Sequence, residues 1–582
     1  MSDVTESDAT GPKFSKEEFL KEGSHQLRGT IAQELCEPSG NFVEDNAKLL
    51  KHHGTYQQDD KDHRKDKNAD GTRKGKAYMF MVRTRIPGGK VTAEQLLAEL
   101  DLCERYGNGT LRITSRQGLQ LHGILKENLR ETIRGINHTM LTTLAACGDV
   151  ERNVMCCPAP YANNPVRREM QEMADRVAEH LKPRTTAYYE IWLKDDEGNE
   201  TEATEFKPVD EPIYGARYLP RKFKTAFALP EDNCVEIYSN DLGFLAIVEK
   251  ERIVGYNVVV GGGMGVTPSA HKTFPAVAKR LAFVPPEQVV GVAEAIVKVQ
   301  RDFGNREDRK VARLKYLIAN WGVPAFKAKV EEYFGKSLAD PLPADVTDVD
   351  DHIGWHEQGD GRLFLGINVE NGRIKDEGDL RIKSAVRLLL GKYGVRCRLT
   401  PMQSLILCDL APIERPNIER MLIDHGVKFV HELSPLRRLS IACPAFPTCG
   451  LSITESERVM PQLIDQLETE LNRLGMPNER IAVHMTGCPN GCARPYTPDI
   501  GFVGKTLGKY TILVGGNLTG TRLAFIYKDL VPFEDLIPSL APLLAQFKSE
   551  RQNGESFGDF CVRQGKEAVM AVGERAAVQT NA

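Results

Sequence analysis

Apolar residues recur along this chain at two different spacings, and the spacing changes from segment to segment. In TAEQLLAELDLCERYG (92–107) and VMPQLIDQLETELNRLG (459–475) they return every three or four positions, and both runs stop at glycine. That pattern predicts two amphipathic helices with plain stop signals. TLRITSRQGLQLHGI (110–124), YNVVVGGG (256–263) and the run from Ala77 to Ile86 are short, aliphatic and rich in β-branched residues, and predict strands. Two stretches carry no period. The first dozen residues, MSDVTESDATGP, are expected to be disordered, and QQDDKDHRKDKNADGTRKGK (57–76) is expected to be a solvated linker. The class is mixed α and β.

The strand patterns also repeat. Arg112-Ile113-Thr114, followed by Gln117, Leu119 and Leu121, returns as Arg398-Leu399-Thr400, followed by Gln403, Leu405 and Leu407, 286 residues later. The same shift lays Cys157-Pro158-Ala159 on Cys443-Pro444-Ala445. Farther on, YNVVVGG at 256–262 is echoed by YTILVGG at 510–516, at a different offset that requires an unequal insertion. The chain therefore reads as two diverged halves about a pseudo-twofold axis, with the interface between them as the natural place for a ligand pocket.

Composition narrows the class. A chain of 582 residues exceeds a single core and predicts about three or four domains. A net charge of −4 gives no global basic field for nucleic acid or a membrane surface. No apolar run reaches the roughly 18 residues of a spanning helix, and nothing at the start resembles a secretory signal, so the expected location is the cytoplasm.

Thirteen cysteines are present, and four of them stand in two short Pro/Gly-rich segments. Cys443 and Cys449 lie in IACPAFPTCGL with five residues between them; Cys488 and Cys492 lie in MTGCPNGCARP with three. Four thiols on irregular segments suit an iron–sulfur cube. A structural zinc site usually shows two to four residues inside each pair, which the five-residue gap does not meet, although it leaves zinc open. An odd cysteine count disfavours a disulfide framework. The remaining nine cysteines are scattered and read as reduced, mostly buried small hydrophobes.

Cations cluster where strands are expected. Arg83 and Arg85 alternate in MVRTRIPGG, Arg112 and Arg116 lie in LRITSRQ, Arg152 in VERNVMC, and Arg221, Lys222 and Lys224 in YLPRKFKTAF. Taken singly, each is most simply a solvated surface cation. Together, inside apolar strands, they would repel one another unless a multiply charged anion met them. No nucleotide-binding loop accompanies them. GGGMGVTP (261–268) lacks the G-x-G-x-x-G spacing and places Pro268 where a helix should open, so it reads as a tight turn. Without a nicotinamide site, electrons must come from a protein partner.

These residues resemble one known family. Cys443-x5-Cys449 with Cys488-x3-Cys492, together with HHGTYQQDD, RTRIPGG, RITSRQGLQLHG, RNVMCCPAP, LPRKFKT, GWHEQGDG and ESFGDF, resembles the sirohaem and [4Fe-4S] assimilatory sulfite and nitrite reductases over nearly the whole chain. The resemblance implies that the four cysteines ligate the cube and that Cys492 also bridges to the sirohaem iron, with sulfite opposite. It implies that Arg83, Arg152, Lys222 and Lys224 bind the anion and deliver protons, and that Arg112, Thr114, Arg116, Gln120, His122 and Arg221 contact the macrocycle. Asn153 and Asn490 stand in the same motifs and are expected to shape the pocket. The second lysine of KFK, Lys224, is usually asparagine in the nitrite branch, so the resemblance favours sulfite, reduced by six electrons to sulfide, with nitrite as a weaker substrate. It also favours a ferredoxin as donor over an NADPH-dependent flavoprotein subunit. The competing reading from another class is a zinc-stabilised, non-enzymatic anion-binding protein. Cys156-Cys157 departs from the family pattern; some relatives link a cysteine to a tyrosine near the haem, and Tyr78 is the partner that the sequence suggests, an unlinked thiol being the simpler expectation.

The implied fold is α+β, the three-domain sulfite/nitrite reductase fold with an internal pseudo-twofold repeat. Residues 1–76 form an arm and linker; 77–145 and 348–420 pair as a ferredoxin-like repeat domain. Residues 146–347 form an anion-binding α/β domain, 421–570 a second one with the cluster, and 571–582 a tail.

Overall fold

The computed structural model describes residues 14–188, 192–194, 197, 200–202, 207–268 and 270–580. The first dozen residues, expected to be disordered, and the last two of the expected tail lie outside that set.

Four five-stranded sheets carry the fold. The first runs Thr55–Asp59, Tyr78–Thr84, Leu119–Ile124, Leu111–Ile113, Arg373–Ile374, and is antiparallel throughout. The second runs Gly354–Glu357, Leu363–Ile367, Leu405–Leu410, Cys397–Leu399, Lys90–Val91, again antiparallel. Each half of the repeat thus lends the other its last strand. Arg373–Ile374 closes the first sheet and Lys90–Val91 closes the second, and one apolar core unites both sheets with the helices Ala93–Arg105 and Ile382–Tyr393. Thr92 opens the first of these helices with a capping box: its hydroxyl accepts from the Gln95 amide while the Gln95 side chain accepts from Thr92 N–H.

The run 110–124, expected as strand, divides at a turn. Thr114 Oγ1 accepts from the N–H groups of Arg116 (3.2 Å) and Gly118 (3.1 Å), and Gln117 takes a left-handed φ of 54°. Its repeat mate is built alike, with Thr400 Oγ1 accepting from Ser404 N at 2.9 Å and Gln403 at φ 64°. The two glutamines then do the same work. Gln117 grips both backbone groups of Cys156, at 2.8 and 3.0 Å, and Gln403 grips both of Ala442, at 3.0 and 3.1 Å.

The third sheet (Lys279–Val284, Arg252–Val260, Leu242–Glu249, Thr225–Ala228, Met155–Cys156) and the fourth (Phe525–Pro532, Lys509–Val514, Ile500–Thr506, Val483–Thr486, Ser440–Ala442) share one mixed topology. Their registers coincide. Leu242 stands opposite Thr225 and Val260; Ile500 stands opposite Val483 and Val514. Thr225 and Val483 are therefore equivalent at an offset of 258, and Val260 and Val514 at 254, because the first hairpin is four residues longer. That hairpin supplies four residues of the unequal insertion; the rest, which takes the offset from 286 to 258, lies in the crossover between Met155–Cys156 and Thr225.

Two expectations change. The stretch from 57 to 76 is not all linker: its first residues belong to Thr55–Asp59, the edge strand of the first sheet, whose polar TYQQD sequence hides it because an edge strand faces water on one side. Beyond it, Lys61 Nζ donates to Ser452 O at 2.6 Å and lies 5.0 Å from the centre of the Phe446 ring, so the arm reaches the cysteine loop. The stretch after 570 is no free tail either, since Lys566–Thr580 is one helix with Val569 in the core of the fourth sheet.

The exchanged strands depend on close backbone approach. Gly372 has φ +77°, and a Cβ there would lie 2.1 Å from Ile113 O. Gly372→Ala is expected to destabilise the chain by more than ~1 kcal/mol, whereas Gly391→Ala, in a helix with nothing within 4 Å, should be neutral or stabilising by up to ~1 kcal/mol. Thermal unfolding of the two variants checks this, and equal midpoints would contradict the role of the exchange.

Candidate active site

Both cysteine loops begin where neighbouring parallel strands of the fourth sheet end. Ser440–Ala442 runs straight into Cys443, and Val483–Thr486 runs through Gly487 into Cys488. Open α/β sheets commonly place ligands off that edge. Gly487 is required by its surroundings, because a Cβ would meet Thr454 O at 2.5 Å. Its N–H points at Cys443 Sγ (3.4 Å), and Asn490 Nδ2 at Cys488 Sγ (3.5 Å). Such donors favour thiolate sulfur.

None of the four cysteines is in a disulfide. Burial, followed by the charge of Cys492, pushes the Cys488 thiol up to about 12, and burial with Cys492 and Cys488 raises Cys443 as well. Free thiolates would be costly here, so the loop suits a cationic centre that draws the protons off. Cys443, Cys449 and Cys488 each feel the charge of Cys492, which puts the four thiols in one neighbourhood.

The Cys443 loop is anchored by an ion triad. Glu457 accepts from Arg112 Nε (2.8 Å) and Arg373 Nε (2.6 Å), while its N–H donates to Cys443 O (3.1 Å) and Arg112 Nη2 donates to Ala442 O (2.7 Å). Burial alone would raise Glu457, but Arg373 and Arg112 outweigh it and hold the carboxyl below its ordinary range. His122 sits beside the triad and is driven far down by burial and by Arg373, so it stays neutral; Arg373 Nη1 approaches its Nδ1 at 3.4 Å.

Facing the loops is a chamber of cations. Among the described residues Arg83, Arg152, Arg221, Lys222 and Lys224 have no carboxylate within 4.0 Å. Arg152 is buried and donates from Nε and Nη2 to Gly148 O at 3.1 and 3.0 Å. Arg83 Nη1 lies 2.9 Å from Cys147 Sγ, and with the Gln120 amide turned oxygen-first that oxygen accepts from Arg83 Nη2 at 2.6 Å. Lys222 and Lys224 flank Phe223, which bridges to Glu151, and so point the same way ahead of the strand Thr225–Ala228. Burial, then Arg221 and Arg152, lowers Lys222 to about 7; burial, then Arg116 and Lys222, lowers Lys224 well below its ordinary range. The charge that raises both is that of Cys492, so the last cysteine of the cluster loop opens onto the same chamber.

The other expected residues form the walls. Arg116 reaches across to Asn240 Oδ1 (2.7 Å) and Asn153 O (2.5 Å), and Asn153 Nδ2 donates to Ile86 O and Arg116 O, both at 2.8 Å. Thr114 spends its hydroxyl on the turn described above. Arg112 is committed to Glu457. The 261–268 turn leans on the cluster loop: Val266 N donates to Pro489 O at 2.9 Å, and the buried Lys315 ammonium fills the turn's own carbonyl ring, donating to Gly263 O at 3.0 Å and Gly265 O at 2.8 Å.

Sequence reasoning missed Tyr56, Cys147, Glu457 and Lys315. Tyr56 and Cys147 both stand by the arginines: Arg83 Nη1 lies 2.9 Å from Cys147 Sγ, and Arg152 is held charged by Tyr56 and Cys147 against its burial. Cys157, one of the two cysteines suggested as a partner for Tyr78, is engaged by Arg167, Asp232 and His352. HHGTYQQDD carries Tyr56 in the sequence.

Cations without a carboxylate beside them and four free thiols are a donor set suited to an anionic, metal-bearing cofactor, and comparison with known proteins gives the family. The nitrite and sulphite reductase 4Fe-4S domain matches residues 172–338 and 436–577, and the nitrite/sulfite reductase ferredoxin-like half domain matches 72–138 and 356–425. The chain belongs to the nitrite and sulfite reductase family, whose cofactors are sirohaem and a [4Fe-4S] cluster. It is 44% identical to the sulfite reductase (NADPH) hemoprotein beta-component of Staphylococcus saprophyticus, covering 95% of this chain and 96% of that one. It is 42% identical to the sulfite reductase (ferredoxin) of Synechococcus elongatus, covering 97% and 92%. Among solved structures, the Mycobacterium tuberculosis NirA protein superposes with a TM-score of 0.78 at 26% identity, covering 96% of this chain and 98% of that one. The residues present fit the family's groups: a polycarboxylate macrocycle answers cations that have no carboxylate beside them, and a cube answers four thiols free of disulfides on two adjoining loops.

Glu457→Gln should leave Arg112 and Arg373 buried without a counter-charge, at a cost of about 3 kcal/mol. A carboxyl held low stabilises the fold above its ordinary 4.5 and loses that contribution as pH falls through its folded value. The wild type should therefore lose stability and bound iron in acid below about pH 4.5, and the variant should lose both already at neutral pH. Iron content and unfolding midpoint against pH decide it; unchanged iron in the variant would remove Glu457 from the cluster's support.

Proposed function

We propose that this chain reduces sulfite to sulfide, and that Lys222 and Lys224, unpaired and sharing a chamber with Cys492, are the observation that carries the reading. Cys443, Cys449, Cys488 and Cys492 would hold the cube, and Cys492, the most open of the four, would be the thiol nearest the sirohaem. When bound, the two groups would pass six electrons from the donor protein, one at a time, to the substrate.

The side chains divide the remaining work. Three S–O bonds break, and each oxygen needs protons to leave as water. A lysine lowered to about 7 gives and regains a proton at neutral pH, whereas arginine stays charged and fixes an oxyanion by directed bonds. Lys222 and Lys224 are thus assigned the proton delivery, and Arg83 and Arg152 the clamp. Arg221, also without a carboxylate, is assigned to a macrocycle carboxylate. Thr114, Arg116, Gln120, His122, Asn153 and Asn490 line the cofactor's space, and Arg112 acts through Glu457 on the loop that bears Cys443. The cluster and ligand loops would belong to the 421–570 unit and the anion residues mainly to 146–347. The paired repeats 77–145 and 348–420 would hold the two together, with the arm before 77 across them.

Electrons would come from a protein, since Lys315 occupies the turn that a dinucleotide would need. Relatives of nearly equal identity carry both donor names, NADPH and ferredoxin. Reconstitution with a ferredoxin and with an NADPH-linked flavoprotein subunit separates them. Nitrite is the second substrate that this site would accept, and Lys224 favours sulfite over it.

Replacing Lys222 or Lys224 by alanine should reduce sulfide formation by ~10²-fold or more with sirohaem content unchanged. Lys222 is charged below its value of about 7 and neutral above it, so wild-type turnover should fall as pH rises through neutrality, and Lys222→Arg, which keeps the charge but cannot release the proton, should be slow at every pH. Alanine variants that keep wild-type turnover would defeat the assignment.

A further inference from the structure

The nine cysteines outside the cluster loops are not all inert. Cys157, Asp232, Cys234 and His352 are buried, and their donor atoms lie within 4.8 Å of one another. Cys157 Sγ is 2.8 Å from Asp232 Oδ2 and 3.5 Å from His352 Nε2, and His352 Nε2 is 3.2 Å from Asp232 Oδ2. The edges of a tetrahedral zinc site with sulfur, nitrogen and oxygen ligands are about 3.3–3.8 Å. Of these three edges the Cys157–Asp232 one is short for such a site and would have to open. His352 is oriented as a ligand: its Nε2 faces the group while its Nδ1 lies 3.3 Å from the Asp350 carboxylate. That contact lacks hydrogen-bond geometry as it stands, and a small turn of the ring would give the carboxylate–histidine arrangement that orients metal-bound histidine.

The second, independent observation is position. In the paired sheets Met155 stands opposite Ala226 as Ile441 stands opposite His484, so Cys157 is the repeat mate of Cys443. Leu242 stands opposite Thr225 as Ile500 stands opposite Val483, and the same 258-residue shift carries Cys234 onto Cys492. Glu236 and Arg494, equivalent by that shift, both take left-handed φ values, 47° and 53°, and pair with each other at 2.7 Å. The first half therefore retains the mates of two cluster ligands. The mate of Cys488 is Pro230 and that of Cys449 is Asn163, which cannot supply thiolate; Asp232 and His352 stand in their place, close enough for one ion and too close for a cube.

We propose that Cys157, Asp232, Cys234 and His352 form a mononuclear structural metal site, of a donor set suited to zinc, at the pseudo-symmetric counterpart of the cluster. Arg167 Nη1, 2.7 Å from Cys157 Sγ and 2.8 Å from Asp232 Oδ2, is the outer donor that steadies these two anionic ligands. Charge balances with or without the ion. Arg167 and a protonated His352 offset Asp232 and a Cys157 thiolate; one divalent ion replaces two protons, from His352 and Cys234, and leaves the buried net charge unchanged.

The test is metal analysis and zinc-edge X-ray absorption on the intact holoenzyme, purified without chelator, where the iron cofactors do not interfere. The expected result is about one zinc per chain with two sulfur neighbours near 2.3 Å and two nitrogen or oxygen neighbours near 2.0 Å. It should be lost in Cys157→Ala/Cys234→Ala and retained in Cys408→Ala. His352→Gln, should the double variant not fold, should weaken retention against EDTA without lowering iron content. A four-sulfur shell would place the zinc at the cluster cysteines and overturn the proposal, as would a shell of nitrogen and oxygen alone, which marks surface zinc. Absence of zinc with no uptake from one added equivalent of Zn²⁺ overturns it too, as does a Cys157–Cys234 disulfide in freshly isolated protein.

Discussion

Positive charge without a protein counter-charge is the constraint on which the rest of this structure depends. Two unit charges ~6 Å apart at an effective dielectric of 20 repel by about 3 kcal/mol, and the chamber gathers Arg83, Arg152, Arg221, Lys222 and Lys224 with no carboxylate in contact. Burial first, and then this repulsion, lowers the lysines, which give up their protons readily. It is relieved when a polyanion enters, so cofactor loading and folding stability are coupled by mass action. The same field that accepts a polycarboxylate macrocycle accepts sulfite beside it.

A chamber of this kind needs walls that do not spread. The pseudo-twofold supplies them by exchange. Each repeat closes the other's sheet with a two-residue strand, and each glutamine after the R-x-T turn clamps the backbone just before a cysteine. Arg112 crosses from the first half to Glu457 and Ala442 of the second, and the 261–268 turn rests on Pro489. Cluster loop and anion residues come from opposite halves, so the site exists only when the halves are docked.

Much of this was legible in the sequence. The cysteine spacings, the repeat and the alternation of Lys222 with Lys224 mark the site because each is a local pattern. What stayed hidden is non-local or too short. Lys90–Val91 and Arg373–Ile374 are below the length at which a period can be read. Thr55–Asp59 is polar because it lies at an edge. Glu457 is an ordinary surface-type residue until the fold buries it between two arginines. Cys157 and Cys234 looked scattered because the first half carries a longer crossover between its first two parallel strands, which throws their spacing out of step with Cys443 and Cys492.

The most direct test of the central claim is the absorption spectrum of the purified protein, taken from cells able to make sirohaem, before and after reduction with sulfite present. The account predicts a Soret band with a long-wavelength chlorin-type band that shifts on addition of sulfite. A folded but colourless protein with zinc on Cys443, Cys449, Cys488 and Cys492 would contradict it and return those cysteines to a structural role.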